Sequence, residues 1–135
     1  MADHLLVVQI VSPERVLYEG EGEMVVCRTT DGELAFLPGH APFLGALGTA
    51  AVRVVLPQGE QVVAVHEGFV EVSGDRVVVL SDVAELPDQI DVARAEAAKQ
   101  RAEGLLRTNA EDEKARAALT RADLRINVAG SGQPA

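Results

Sequence analysis

Residues 77–100 read VVVLSDVAELPDQIDVARAEAAKQ, and the change of composition inside this stretch decides the fold. Val77, Val78 and Val79 give way across Pro87-Asp88 to Ala93, Ala95, Ala97 and Ala98. Eighteen valines lie in residues 1–87 and two in 88–129, where alanine rises to 11 of 42 residues. β-Branched side chains suit a pleated sheet and lose freedom in a helix, whereas alanine is the best helix former. The chain is therefore expected to be a two-part α+β protein. An antiparallel β-sandwich or flattened barrel over 1–87 precedes an antiparallel α-helical hairpin over 88–129, with 130–135 as a flexible tail.

Outward from that boundary, short apolar runs alternate with turn residues. Leu5–Val11 ends at Ser12-Pro13. Met24–Arg28 and Leu34–Leu37 flank Thr30-Asp31-Gly32-Glu33, a hairpin signal. Ala50–Leu56 and Gln61–Val65 flank Pro57-Gln58-Gly59-Glu60, and Phe69–Val72 and Arg76–Leu80 flank Ser73-Gly74-Asp75. Pro38-Gly39-His40-Ala41-Pro42 reads as an irregular loop, because its prolines lack backbone donors. On the helical side, Asp88 reads as the first N-cap, and Thr108-Asn109 as the second, ahead of Glu111, Asp112 and Glu113. Gly130 is expected to stop the second helix.

Charge follows the same division. The protein has 135 residues and a net charge of −9, all of it carried by residues 1–87 with 13 acids and four bases. Residues 88–129 balance eight against eight. An acidic surface repels a phosphate backbone, and 3% aromatic content without tryptophan leaves no stacking platform, so no nucleic-acid role is expected. The lone Cys27 cannot form an internal disulfide, which fits a reducing compartment. No run is long and apolar enough to span a bilayer, and Met1-Ala2-Asp3-His4 reads as neither signal nor transit peptide.

The helices carry apolar seams of small residues: Ala95, Ala98, Ala102, Leu105 and Leu106, then Ala115, Ala118, Leu119, Ala122 and Ile126. Each alanine in place of leucine forgoes about 2 kcal/mol of burial at roughly 0.8 kcal/mol per methylene. The hairpin is thus either a minor appendage or an element that detaches and docks elsewhere. Arg94 and Arg101 share one helix face, as do Lys114, Arg121 and Arg125. These are either a cationic patch or solvated faces with local pairs such as Glu103 with Arg107. Catalytic chemistry is not signalled. There is no phosphate-binding glycine loop, His4, His40 and His66 have no metal-ligand spacing, and no serine sits in a nucleophile elbow. No catalytic residue and no metal site is assigned.

Gly32-Glu33-Leu34-Ala35-Phe36-Leu37-Pro38-Gly39-His40-Ala41-Pro42 strongly resembles the G-E-L-x-x-L-P-G-H-x-P signature of the epsilon subunit of bacterial F-type ATP synthases. Val11-Ser12-Pro13 with Leu17-Tyr18, then Glu67–Val72, then Ile90-Asp91-Val92-Ala93-Arg94-Ala95, follow in family order. The resemblance implies the two-part fold and a non-catalytic rotor protein, peripheral on the cytoplasmic face of the bacterial membrane. Its partners would be the gamma subunit, the c-ring and, with an extended hairpin, the catalytic alpha and beta subunits. Membrane association would come through those partners only.

The resemblance further implies that Glu33 and His40 contact the c-ring and gamma, with Asp31, Gly32 and Pro38, Gly39, Ala41 and Pro42 shaping them. No cofactor is required, but ATP, with or without Mg²⁺, is implied as a regulatory ligand. Ile90, Asp91, Arg94 and Ala95 match the ATP motif, Asp91 toward base or ribose and Arg94 toward phosphate. Glu85 matches an upstream acidic partner, and Arg121 and Arg125 match phosphate-facing bases on the second helix. That helix carries only Lys114, Arg116, Arg121 and Arg125, so weak inhibition of ATP hydrolysis is expected. The alternative from another class is a stand-alone ATP-sensing module.

Overall fold

The computed structural model describes residues 4–131 and contains eight strands followed by two helices. The strands are β1 (Leu6–Ser12), β2 (Arg15–Gly22), β3 (Met24–Thr29), β4 (Gly32–Phe36), β5 (Phe43–Leu56), β6 (Gly59–Ser73), β7 (Arg76–Leu80) and β8 (Ala84–Glu85). A 3₁₀ turn at Pro87–Gln89 leads to α1 (Val92–Thr108) and α2 (Glu113–Gly130). The order across the sheet is β2-β1-β7-β6-β5-β3-β4, with β8 on β6. All neighbours are antiparallel except β1 and β7, which run parallel with Val8 opposite Val77.

β5 and β6 form one hairpin of 14 and 15 residues, closed by Leu56 opposite Gly59. A straight ribbon of that length would reach roughly 45 Å at about 3.3 Å per residue. Its ladder is interrupted instead at Glu67-Gly68, between the Leu47–Gly68 and Thr49–His66 pairs. Glu67 takes the left-handed region at φ 66°, and Gly68 follows at φ 157°. A Cβ on Gly68 would collide with the carbonyl oxygen of Leu80, so the close approach of β7 there requires glycine. Ser81 Oγ seals the bend, 2.6 Å from the Glu67 carbonyl oxygen, and accepts from Val83 N–H at 3.3 Å.

Between the layers lie Leu6, Val8 and Ile10 of β1, Val25 and Cys27 of β3, Phe36, Val52, Val54, Val63, Val65, Val70, Val72, Val77 and Val79. Burial pushes the Cys27 thiol up to about 12, leaving it an apolar core residue. The alternation along β1 and β7 is the period of two that a half-covered strand shows.

Several local expectations are corrected. β2 was not expected, since Glu19-Gly20-Glu21-Gly22 lacks apolar alternation. It forms because β1 pairs with it from Leu6–Gly22 to Ser12–Arg15, with a bulge at Ile10/Val11. β5 starts at Phe43 rather than Ala50, because Gly45 and Gly48 hide a strand fixed by tertiary pairing to Gly68–Val72. Gln61–Val65 and Phe69–Val72 are one bent strand.

The N-cap of α1 is Asp91, whose Oδ1 accepts from Arg94 N–H at 3.1 Å, while Asp88 sits in the preceding 3₁₀ turn. Asp112 caps α2 at Ala115 N–H, 3.0 Å, whereas Asn109 is the C-cap of α1. Gly130 remains helical and Ser131 caps it. Of the expected tail, residues 132–135 lie outside the described residues.

The helices are antiparallel neighbours. Ala95 and Ala102 of α1 and Ala115 and Ala122 of α2 are buried, while Leu105 points to solvent. Lys99 Nζ reaches Asp123 Oδ1 across the pair at 3.2 Å, and no Glu103–Arg107 bridge occurs among the described residues. α2 packs on the outer face of β5 and β6, with Leu124 and Val128 against Ala51, Val62 and Ala64 and against Ile90 from the connecting turn. The hairpin is therefore closed and docked.

Candidate functional site

Two surfaces stand out. The first lies where the closed hairpin meets the end of the β domain. Alanine at Ala95, Ala98, Ala118 and Ala122 leaves room between α1 and α2, and the result is a cleft of about 390 Å³. Arg94 and Arg101 line it from α1, Arg121 and Arg125 from α2, and Glu85, Gln89 and Asp91 complete it. The two arginine faces converge there, while Lys114 lies outside.

Charge in the cleft is unbalanced. Four guanidinium groups face two carboxylates, and both carboxylates are engaged. Asp91 caps α1. Glu85 Oε1 accepts from Arg125 Nε at 2.8 Å and from His66 Nε2 at 3.0 Å. Burial pushes the Glu85 carboxyl up, but the bonds from Arg125 and His66 outweigh it and hold the group below the usual carboxylate range. Arg94, Arg101 and Arg121 make no ion pair among the described residues. Guanidinium forks converging in a partly enclosed site suit phosphate oxygens, and helix N-cap geometry at Asp91 orders the first turn of α1 beside them.

His66 sits behind Glu85, its side chain 5% exposed, with Nδ1 buried and unpartnered. Burial lowers its pKa, and the charges of Arg125 and Arg121 add to that against the opposing bond to Glu85. Among the described residues no cluster of three or more His, Cys, Asp or Glu could hold a metal ion.

Six of the seven residues expected at an ATP site, Glu85, Asp91, Arg94, Ala95, Arg121 and Arg125, line this one cleft. Ile90 instead packs in the apolar contact beneath α2. Arg101 was read from sequence only as sharing a helix face with Arg94, and Gln89 was not selected. The seven-residue spacing of Arg94 and Arg101 was the signal for the first, and nothing marked the second. Nothing marked His66 either, a lone histidine late in an apolar run.

The second surface is the sheet face that the hairpin leaves uncovered. Register places Val16, Val11, Leu80, Phe69 and Ala46 side by side across β2, β1, β7, β6 and β5. Val16 and Leu80 are each 51% exposed, Phe69 57%, and Leu44 on the same face of β5 72%. An open groove of about 630 Å³ runs past Val11, Leu80, Phe69 and Ala46. A contiguous apolar row of this kind marks an interaction surface.

The expected interface residues fall into two groups at opposite ends of β4. Asp31, Gly32 and Glu33 form an exposed turn, with Gly32 at φ 130° and Thr29 Oγ1 accepting from Asp31 N–H at 3.1 Å. Thr30 N–H donates to Ala46 O at 3.0 Å, tying that turn to the end of the apolar row. Pro38, Gly39, His40, Ala41 and Pro42 lie at the other end. There Gly39 N–H donates to Asp75 Oδ1 at 2.8 Å, the bond that chiefly lowers the Asp75 pKa. The His40 ring stands edge-on to Phe36 at 4.9 Å. The structure does not bring these two groups together.

Comparison with known proteins agrees with the two-part reading. Residues 5–87 match the family model for the ATP synthase Delta/Epsilon chain beta-sandwich domain, and residues 88–130 match its long alpha-helix domain. The ATP synthase epsilon chain of Thermobifida fusca is 42% identical over 134 residues, 96% of each chain. That of Halalkalibacterium halodurans is 43% identical over 127 residues, 91% of this chain and 96% of the relative. Among solved structures, a chain of the Euglena gracilis mitochondrial ATP synthase superposes with TM-score 0.78 at 18% identity, covering 93% of this chain and 81% of that one. A chain of the Tetrahymena thermophila mitochondrial ATP synthase central stalk/c-ring structure gives 0.59 at 13% identity, covering 92% of this chain and 96% of that one. At such identities the likeness is one of fold.

Proposed function

Because this chain belongs to the ATP synthase delta/epsilon chain family, we propose that it is an epsilon-type subunit of the central stalk of a proton-translocating F-type ATP synthase. It couples rotor to catalytic head, binding gamma and the c-ring and catalysing nothing itself. It is peripheral on the cytoplasmic face of a bacterial membrane and held there by its partners. No helix among the described residues is long and apolar enough to cross a membrane. The observation that carries this reading is the uncovered apolar row of Val16, Val11, Leu80, Phe69 and Ala46, a surface that a subunit buried in an assembly needs and a free monomer does not. Co-purification with gamma tests it. Phe69→Asp with Leu80→Asp is expected to abolish capture while far-ultraviolet circular dichroism stays native, and undiminished capture would remove the row from the interface.

The cleft supports a regulatory ligand. Three arginines without carboxylate partners fit a polyphosphate, and ATP, with or without Mg²⁺, is the proposed occupant. The occupant contacts both helices, so it stabilises the closed hairpin by RT ln(1 + [L]/Kd). The extended hairpin would reach the alpha and beta subunits and inhibit hydrolysis, weakly in this protein given the few bases on α2. Calorimetric titration with ATP, alone and with Mg²⁺, tests the ligand, and Arg94→Ala and Arg101→Ala are each expected to weaken binding at least tenfold. Saturable ATP binding without capture by gamma would favour the stand-alone ATP-sensing module instead.

A further inference from the structure

α2 is held to the β domain by two kinds of contact. The apolar one is small: Leu124 and Val128 on Ala51, Val62 and Ala64. The polar one is a chain of three side chains from three elements. His66 of β6 donates to Glu85 of β8, and the same carboxylate oxygen accepts from Arg125 of α2. Val62, Ala64 and His66 occupy alternate positions of β6, so all three face α2. His66 therefore lies beside the docked helix with its side chain 5% exposed, and opening the hairpin removes Arg125 and Arg121 from its surroundings.

We propose that His66 is a proton-titrated latch, positioning Glu85 against Arg125 so that α2 stays docked while the imidazole is neutral and is released when it takes up a proton. This rests on the hairpin being a mobile element and requires no bound nucleotide, although Glu85, Arg121 and Arg125 also line the cleft.

Burial sets the sign: Nδ1 is buried without a partner among the described residues, so a second ring proton would find no acceptor there. Glu85 on β8 faces it, and Arg125 and Arg121 on α2 are the cations close enough to act on it. Glu67 beside it, Asp82 in the following loop and Asp88 in the 3₁₀ turn are exposed. Thr49, its partner across β5, is uncharged. A protonated ring would be a second cation on the Glu85 carboxylate beside Arg125, with the unpaired Arg121 nearby. In the open state the same ring is far from both arginines. The open form therefore binds the proton more tightly, and acidification shifts the population toward it by at most tenfold per pH unit for one proton.

Amide hydrogen exchange on the full chain tests this, read at α2 and at the β core between pH 7.5 and 5.5 after correction for intrinsic rates. The expected result is that protection of the α2 amides from Leu124 to Val128 falls several-fold on acidification, while Val25 and Val54 keep theirs. His66→Gln, which retains an amide donor for Glu85 but does not titrate, should flatten that dependence. Identical pH dependence in His66→Gln and the natural chain would overturn the latch and leave hairpin mobility standing. If α2 exchanges only together with Val25 and Val54, the latch and the mobile hairpin both fail. Should the variant not fold, the His66 ring titration followed by nuclear magnetic resonance decides. A value below the ordinary histidine range supports the latch, and one at or above it overturns it.

Discussion

At the scale of single residues, the bend of the β5–β6 ribbon concentrates the steric demands of the fold. Glu67 holds a left-handed backbone that costs about 1 kcal/mol for a residue with a Cβ, and Gly68 admits no Cβ at all against Leu80. Gly68→Ala is expected to destabilise the protein by about 3 kcal/mol or more in urea unfolding, because β7 must move. Gly48→Ala is the control: a Cβ there meets nothing within 4 Å, so the change should stay within about 1 kcal/mol. Equal effects of the two would refute the steric account. Asp91 both lines the cleft and caps α1. Its Oδ1 is committed to Arg94 N–H, so Asp91→Ser should preserve helix content, since serine also caps.

At the scale of elements, the hairpin is marginal by construction. Its mutual contact is made largely of alanine, and much of its order depends on end effects. Removing the α2 cap with Asp112→Ala should cost about 1 kcal/mol, seen as lost helical ellipticity in the full chain with β unfolding unchanged. The docking contact also sets a pH dependence. The lowered His66 pKa means that its contribution is complete above the ordinary value near 6.5 and fades as pH falls below it. The lowered Glu85 pKa adds a contribution present above the ordinary carboxylate range and lost as pH falls through its depressed value. Both act in one direction. The urea midpoint of the helical signal should therefore drop between pH 7 and pH 5 on account of His66, and a midpoint that rises over that range would contradict the His66 attribution.

At the scale of the molecule, the main core belongs entirely to the β domain, and the hairpin docks outside it, on the outer face of β5 and β6 and through Arg125 on Glu85 of β8. A chain ending at residue 87 should keep a cooperative unfolding transition, losing chiefly the helical ellipticity. Loss of cooperativity would show that α2 is part of the folding unit. Within an assembled synthase the same truncation should change ATP hydrolysis little if inhibition is weak, and a several-fold rise would show a strong inhibitory role for α2.

The sequence alone was enough for the division into a valine-rich β half and an alanine-rich helical half, because side-chain branching acts locally and needs no partner. It also exposed the two arginine faces, since helical spacing is a local property. It did not disclose β2, the true start of β5 or the continuity of β6 through its bend. Those strands exist because distant partners supply their hydrogen bonds, and glycines 20, 22, 45 and 48 erase the alternation that would mark them. Convergence of the arginines on one cleft, the burial of His66 behind Glu85 and the alignment of Val16, Val11, Leu80, Phe69 and Ala46 into one row were likewise decided by tertiary structure. Each depends on which strand lies beside which and where the hairpin docks, and a linear pattern holds no term for either.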